Sequence, residues 1–182
     1  MEKISPGMEA TGGISRNSGS AEEIRVSGHY SVECVKADGT LRWKDEVQNL
    51  VTTVGKNLVL DTVIAGASYT AAWYLGLVDG AAAPTYSAND SAASHAGWIE
   101  NTAYSNSGRP APSWGAASAG SKASSAVSFN INAYAVLAGC FLINNATKGG
   151  TSGVLYSCGS FAGGNKVVSS GDTLNVTYTA TA

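Results

Sequence analysis

Charged residues are scarce in this chain. Only 13% of its 182 residues are Asp, Glu, Lys or Arg, about half of the ~25% that is usual in soluble domains. The formal net charge is −2, and the sequence has no basic stripe of the kind that contacts nucleic-acid phosphates. No stretch approaches the ~20 consecutive apolar residues of a membrane-spanning helix. The sequence therefore predicts that the chain binds neither nucleic acid nor membrane.

Cysteine is also sparse, with Cys34, Cys140 and Cys158 widely spaced. An odd count leaves room for one disulfide pair, and cysteine is a common zinc ligand. However, no CxxC or neighbouring histidine pair completes a zinc motif. We therefore expect three buried free thiols and no metal site. The paired glycines lack the spacing of phosphate-binding loops, so no cofactor is predicted.

The residues of acid–base catalysis are few. The two histidines are His29 and His95, and His95 is either a general base or a loop residue bonded to the backbone. No G-x-S-x-G motif supplies a nucleophile for it. The acidic residues Asp79, Asp90 and Glu100 offer carboxylate pairs for glycoside hydrolysis, but the sequence fixes no distance between them. We therefore expect a protein that is not an enzyme.

Glycine is abundant, with 22 residues, and the apolar runs are short and bounded by turn formers. Residues 1–21 are Gly- and Ser-rich without hydrophobic periodicity, which predicts an extended N-terminal arm. Residues 22–182 then form a single domain. Its pattern predicts a mainly β fold, a jelly-roll-like or Greek-key sandwich of about eight strands. Strands are predicted in a hairpin at 24–50 and at residues 71–78, 97–104, 126–131, 136–144, 154–158 and 173–179.

Two local signals are clear within the domain. Asp38-Gly39 between strand-like runs predicts a tight hairpin turn. A single short helix is predicted at about residues 53–65, with Thr53 as its N-cap and Gly66 after its end. Its apolar residues Val54, Leu58, Val59 and Val63 are expected to lie along one side.

Some segments suggest contacts with a partner. The loop at residues 79–96 is long, and such loops carry function or lie against a neighbour. The run that begins at Trp73 is interpreted as core or as a subunit contact. The prolines extend residues 109–114, which form either a strap that binds a partner or a loop on their own sheet. The predicted partner contacts are Arg109, Pro110 and Trp114 in this segment, with Ile4 and Met8 in the arm.

An ordered set of short motifs resembles small virion proteins of tailed bacteriophages. The motifs are NLVTTVGKNL (49–58), SYTAAWYLGL (68–77), SHAGW (94–98), YSN (104–106) with RP (109–110), NNATKGG (144–150) and GDTLNV (171–176). Residues 1–22 match none of that family's patterns.

The resemblance implies a structural protein of the phage particle, with capsid decoration (cement) protein as the closest function. Its partners would be the major capsid protein and other copies of itself, in a dimer or trimer. It would lie on the capsid exterior after synthesis in the host cytoplasm, which agrees with the absence of a signal-peptide pattern in residues 1–13. The alternative is a tail- or fibre-associated protein that contacts other tail proteins or host surface glycans.

Overall fold

The chain folds into two antiparallel β-sheets that face each other across a shared core. The structure is a computed structural model, and it describes residues 25–69 and 72–182. Its elements in chain order are β1 (Ser27–Val35), β2 (Leu41–Gln48), β3 (Leu50–Val51), α1 (Thr53–Val63), β4 (Tyr74–Asp79), β5 (Glu100–Asn101), β6 (Ser121–Ala123), β7 (Val127–Asn130), β8 (Ala135–Ile143), β9 (Leu155–Ser160), β10 (Lys166–Val168) and β11 (Thr173–Thr181).

The predicted mainly β sandwich with a short helix is confirmed for these residues. The predicted arm, residues 1–21, and its boundary with the domain at residue 22 lie outside the described residues, as do Ile4 and Met8. Within the described part of the chain, no helix has the length and apolar character that crossing a membrane requires.

The predicted hairpin is formed by β1 and β2. In its turn, Gly39 has a φ of 83°, a left-handed conformation that glycine adopts without a steric cost. The Asp38 carboxylate accepts bonds from the amide and the hydroxyl of Thr40, which fixes the turn from its other side. Strand β1 also pairs with β11 along its whole length. The first described strand and the last strand therefore form the centre of the first sheet.

Some short strands follow one another along the same neighbouring strand. In the first sheet, β6 and β7 follow one another along β11. Between them, the Ser124 amide donates to the Tyr178 carbonyl, and the Ser124 hydroxyl accepts from the Tyr178 amide. In the second sheet, of order β3-β9-β8-β4-β5, strands β9 and β10 follow one another along β8. Strand β2 continues through Asn49 into β3, which lies in the second sheet. The described residues contain eleven strands, five in the first sheet and six in the second, where the sequence predicts about eight.

The predicted strand at residues 97–104 is wrong for most of its length. Only β5 pairs there, with Leu77 and Val78 of β4, and Tyr104 makes an isolated bridge to Ile131. The apolar residue Trp98 lies in a loop and is buried against Phe141. Side-chain packing on the outside of the second sheet, rather than strand pairing, explains the apolar residues of this segment.

Two apolar clusters hold the fold together. The main cluster lies between the sheets and includes Tyr30 and Val176 from the first sheet and Leu77 and Leu142 from the second. A smaller cluster lies on the outer face of the second sheet, where the long loop packs Ala92 and other apolar residues onto β4, β8 and β9. The loop predicted at residues 79–96 therefore covers a sheet of its own domain.

Candidate functional site

Helix α1 begins where the chain leaves β3. The N-cap is Thr52, not the predicted Thr53, because the Thr52 hydroxyl accepts from the Gly55 amide at 3.0 Å and donates to the Leu155 carbonyl at 2.5 Å. Gly55 is buried against β9, and a Cβ at this position would lie 2.6 Å from the Tyr156 carbonyl oxygen. The hydroxyl and the glycine thus hold the first turn of the helix close to the sheet.

The rest of α1 is largely exposed. Of the residues expected along one side, Leu58 and Val59 are half-buried, but Val54 is exposed. Leu60, Val63 and Ile64 are 54%, 73% and 77% exposed. We call these three residues the outer α1 patch. Helix α1 rests on the sandwich mainly through its first turn and the Leu58–Val59 side.

An aromatic groove lies between α1 and the end of the main core. It has a volume of about 440 Å³. A chain of ring contacts runs along it: the centroids of Tyr69 and Trp73 lie 6.1 Å apart, Trp73 and Tyr156 5.4 Å, Tyr156 and Tyr178 6.3 Å, and Tyr178 and Trp114 6.3 Å. Its other lining residues are Leu58, Val59, Thr62, Val63, Lys122, Leu142 and Ala180. The lining is apolar over most of its area, as in sites that bind apolar groups.

One polar group in the groove lacks a partner. The Thr62 hydroxyl is buried and has no hydrogen-bond partner within the described residues. Buried hydroxyls are nearly always paired, since an unpaired one costs free energy. Lys122, on the groove's edge, is exposed, and its ammonium donates to the Gly115 carbonyl at 2.7 Å. The groove thus combines an apolar floor with one unsatisfied hydroxyl and one cation.

The segment at residues 109–114, interpreted as either a strap or a loop, connects two parts of its own domain. The Pro110 carbonyl accepts from the Leu75 amide at 3.0 Å, and Trp114 makes a bridge with Ser124 beside β6. Pro110 and Trp114 are half-buried, and Trp114 lines the aromatic groove. In the structure this segment is therefore a loop on its own domain. Trp114, which is only half-buried, stays a predicted partner contact.

Arg109 lies inside the molecule rather than on its surface. Its guanidinium makes a two-pronged salt bridge with Glu100, with distances of 2.9 and 2.8 Å, and both side chains are almost fully buried. It also donates to the carbonyls of Asn145 and Gly150 and stacks 5.2 Å from the Phe141 ring centroid. These contacts use the guanidinium within the chain, so Arg109 anchors the loop at residues 144–150. A small cavity of about 160 Å³ borders the ion pair.

The candidate catalytic groups are each engaged in local structure. His95 stacks on Trp98 with centroids 4.1 Å apart, and its Nδ1 lies 3.0 Å from the Trp98 carbonyl oxygen. The Asp90 carboxylate accepts from the Trp98 indole and the Ser87 amide. Asp79 accepts from the Asn101 side chain and the Ala81 amide, and Glu100 is paired with Arg109. These bonds position loops, which is the role of turn residues.

The cysteines are free and buried, as predicted. Burial, followed by the nearby Asp172 carboxylate, raises the pKa of Cys34 to about 12. Burial also raises the pKa of Cys158 to about 12 and shifts the pKa of Cys140 upward. Thiols with such pKa values are protonated at neutral pH and are poor nucleophiles. Among residues 25–69 and 72–182, no group of three His, Cys, Asp or Glu side chains is placed to hold a metal ion.

Comparison with known proteins gives no family for this chain. No protein-family model matches it, and no curated protein has a sequence that matches it significantly. The groove and the outer α1 patch are therefore identified as candidate binding surfaces from the geometry of the structure alone.

Sequence reasoning missed most of these two surfaces. Tyr156 and Tyr178 belong to predicted strands that meet only in the folded chain, so their sequence positions give no sign of a groove. The patch had a signal: residues 58–64, LVLDTVI, place apolar side chains around most of the helix. The apolar surface of such a helix extends around more of its circumference than a single sheet can bury.

Proposed function

We propose that the chain is a non-enzymatic structural protein of a tailed-phage particle, a capsid decoration protein that binds the major capsid protein on the shell exterior. The observation that carries the proposal is the outer α1 patch. Contiguous exposed apolar surface on a soluble domain marks a surface for protein partners. The particle is suggested by the ordered motifs that resemble virion proteins.

The size of the patch suits a multivalent attachment. Full burial of a Val, Leu or Ile side chain contributes about 1.5–3 kcal/mol, so three such residues supply a modest contact. Modest contacts hold well when several copies are linked, because each further contact forms at high effective concentration. Association of the chain with other copies of itself, as a dimer or trimer, would provide that linkage.

The alternative is a tail- or fibre-associated protein, and one feature bears on its glycan-binding form. Aromatic rings such as Trp73 and Trp114 resemble a platform for sugar rings. Sugar recognition also needs several polar groups that bond the hydroxyls, as polar ligands do in general. The groove is mainly aliphatic and aromatic, so its chemistry favours a protein partner over a glycan.

Purified particles of the phage that encodes the chain would test the proposal directly. The chain should appear on a stained gel on the order of hundreds of copies per particle, as coverage of a symmetric shell requires. A small multiple of three or six would support the tail alternative instead. If the protein is absent from purified particles, both assignments are wrong.

Variants would then test the outer α1 patch. Ile64→Asp should abolish attachment to particles that lack the wild-type protein, because it places a charge in the contact. Ile99→Asp is a matched control, since Ile99 is 70% exposed and lies in the segment between the long loop and β5. Equal attachment of both variants would show that α1 does not face the capsid protein.

A further inference from the structure

The described chain begins beside the aromatic groove. Ser27 pairs with Thr181, and Gly28 pairs with Ala180, which lines the groove. Before them, Val26 is half-buried and packs against the main core. The 24 residues that precede Arg25 are therefore attached to the domain at the end where the groove opens.

The composition of this N-terminal segment fits the groove. Ile4 and Met8 are apolar, and the methionine thioether packs favourably against aromatic rings such as those of Trp73 and Trp114. Glu9 follows Met8 directly, and its negative carboxylate is complementary to the positive ammonium of Lys122.

We propose that the aromatic groove binds the N-terminal segment of the same chain, with Ile4 and Met8 between the rings and Glu9 near Lys122. The residues between Met8 and Arg25 reach up to ~56 Å when extended, so the segment can fold back on its own domain. Because the N-terminal segment is attached at the edge of the groove, its effective concentration there is about millimolar or above. Its own segment therefore outcompetes a segment from another copy in dilute solution.

This inference stands independently of the phage assignment. It concerns the groove, whereas the proposed capsid contact uses the outer α1 patch. Val63 belongs to both surfaces, because it lines the groove and is still largely exposed. A segment that filled the groove would support the inner side of α1 and leave Leu60 and Ile64 open to a partner.

Disulfide trapping in the full-length chain tests the proposal. Ser5→Cys combined with Val63→Cys should form an intramolecular disulfide under mild oxidation, measured by intact mass and by mapping of the linked peptides. The native thiols should not compete because they are buried and protonated. The matched control is Ser15→Cys with Val63→Cys, which places the thiol on a shorter tether and outside the proposed contact. A docked segment should link from position 5 at least about tenfold faster than from position 15.

A second pair of variants identifies the anchoring side chain. Met8→Asp, added to the position-5 pair, should reduce the rate of linkage to that of the position-15 pair. Ile14→Asp, an equivalent change at an apolar residue that the proposal does not use, should leave the rate unchanged. Equal rates from positions 5 and 15 would overturn the proposal. A disulfide that joins two chains at low protein concentration would also overturn it, since the groove would then hold the segment of a second copy.

Discussion

The buried pair of Arg109 and Glu100 should be a main determinant of stability. In the Arg109→Met variant, a side chain of similar length would still pack on Phe141 but would donate no hydrogen bonds. The Glu100 carboxylate would remain buried beside the Gly149 amide without the guanidinium that balances its charge. The loop at residues 144–150 would lose two bonds to its carbonyl groups.

The expected effect is large. Removal of one partner from a buried ion pair costs about 3–5 kcal/mol, because the other charge stays buried without compensation. For a chain of this size, each kcal/mol shifts the melting temperature by roughly 2–4 °C. Arg109→Met should therefore lower the melting temperature by roughly 6–20 °C. The double variant Arg109→Met/Glu100→Gln should regain part of this loss, because no uncompensated charge remains.

Thermal unfolding followed by circular dichroism measures these differences, with Lys44→Met as the control. Lys44 pairs with Glu33 at 2.5 Å, but its side chain is 63% exposed. An exposed pair of this kind contributes about 0–1 kcal/mol, so the control should melt close to the wild type. If Arg109→Met melts as high as Lys44→Met, the ion pair does not stabilise the fold and the reasoning is refuted.

Three further outcomes follow from the structure. Reducing agent should leave the calorimetric midpoint unchanged, because the three thiols are free; a drop of several degrees would reveal a disulfide. Gly76→Ala should lower the free energy of unfolding in urea by about 1–3 kcal/mol, since its Cβ would lie 2.1 Å from the Phe141 ring; an unchanged value would contradict this packing. Asp45→Asn should lower the melting temperature at pH 7, and this loss should shrink as the pH falls below the unfolded pKa of about 4; a loss that stays constant with pH would show that the ionised form is not favoured by folding.

The sign of the Asp45 effect follows from its surroundings. Burial acts to raise the pKa of Asp45, but bonds from Lys166 and from the amides of Glu46 and Gly163 outweigh it, so the pKa is lowered. A carboxyl group with a lowered folded pKa stabilises the protein above its unfolded pKa of about 4. That stabilisation is lost as the pH falls through the folded pKa. The asparagine variant lacks it at every pH, so the two proteins should converge in acid.

The sequence predicts the elements whose pattern is local. The turn at Asp38-Gly39 and the alternation of Leu174, Val176 and Tyr178 in β11 specify their strands directly, and all three apolar residues of β11 are buried. The short strands β6 and β10 were not predicted. Their residues are partly polar, and they pair because β11 and β8 present free edges to them. Strand formation there is set by the neighbouring strand, which a window of sequence does not contain.

The candidate site was harder to predict for a related reason. An apolar stripe on a helix shows that burial of these side chains is favourable in free energy, but it does not show which surface covers them. In α1 the side that includes Val59 faces the domain, while Leu60 and Ile64 face outward. Both sides contribute to the same hydrophobic periodicity, so the pattern predicts a helix without showing which of its residues face the domain. The contacts of Thr52 and Gly55 with β9 hold the helix against the sheet, and they join residues about one hundred positions apart in the chain. The division of α1 between an inner groove and an outer patch is therefore a property of tertiary packing. We propose a different partner for each side of the helix: the N-terminal segment for the groove and the capsid protein for the patch.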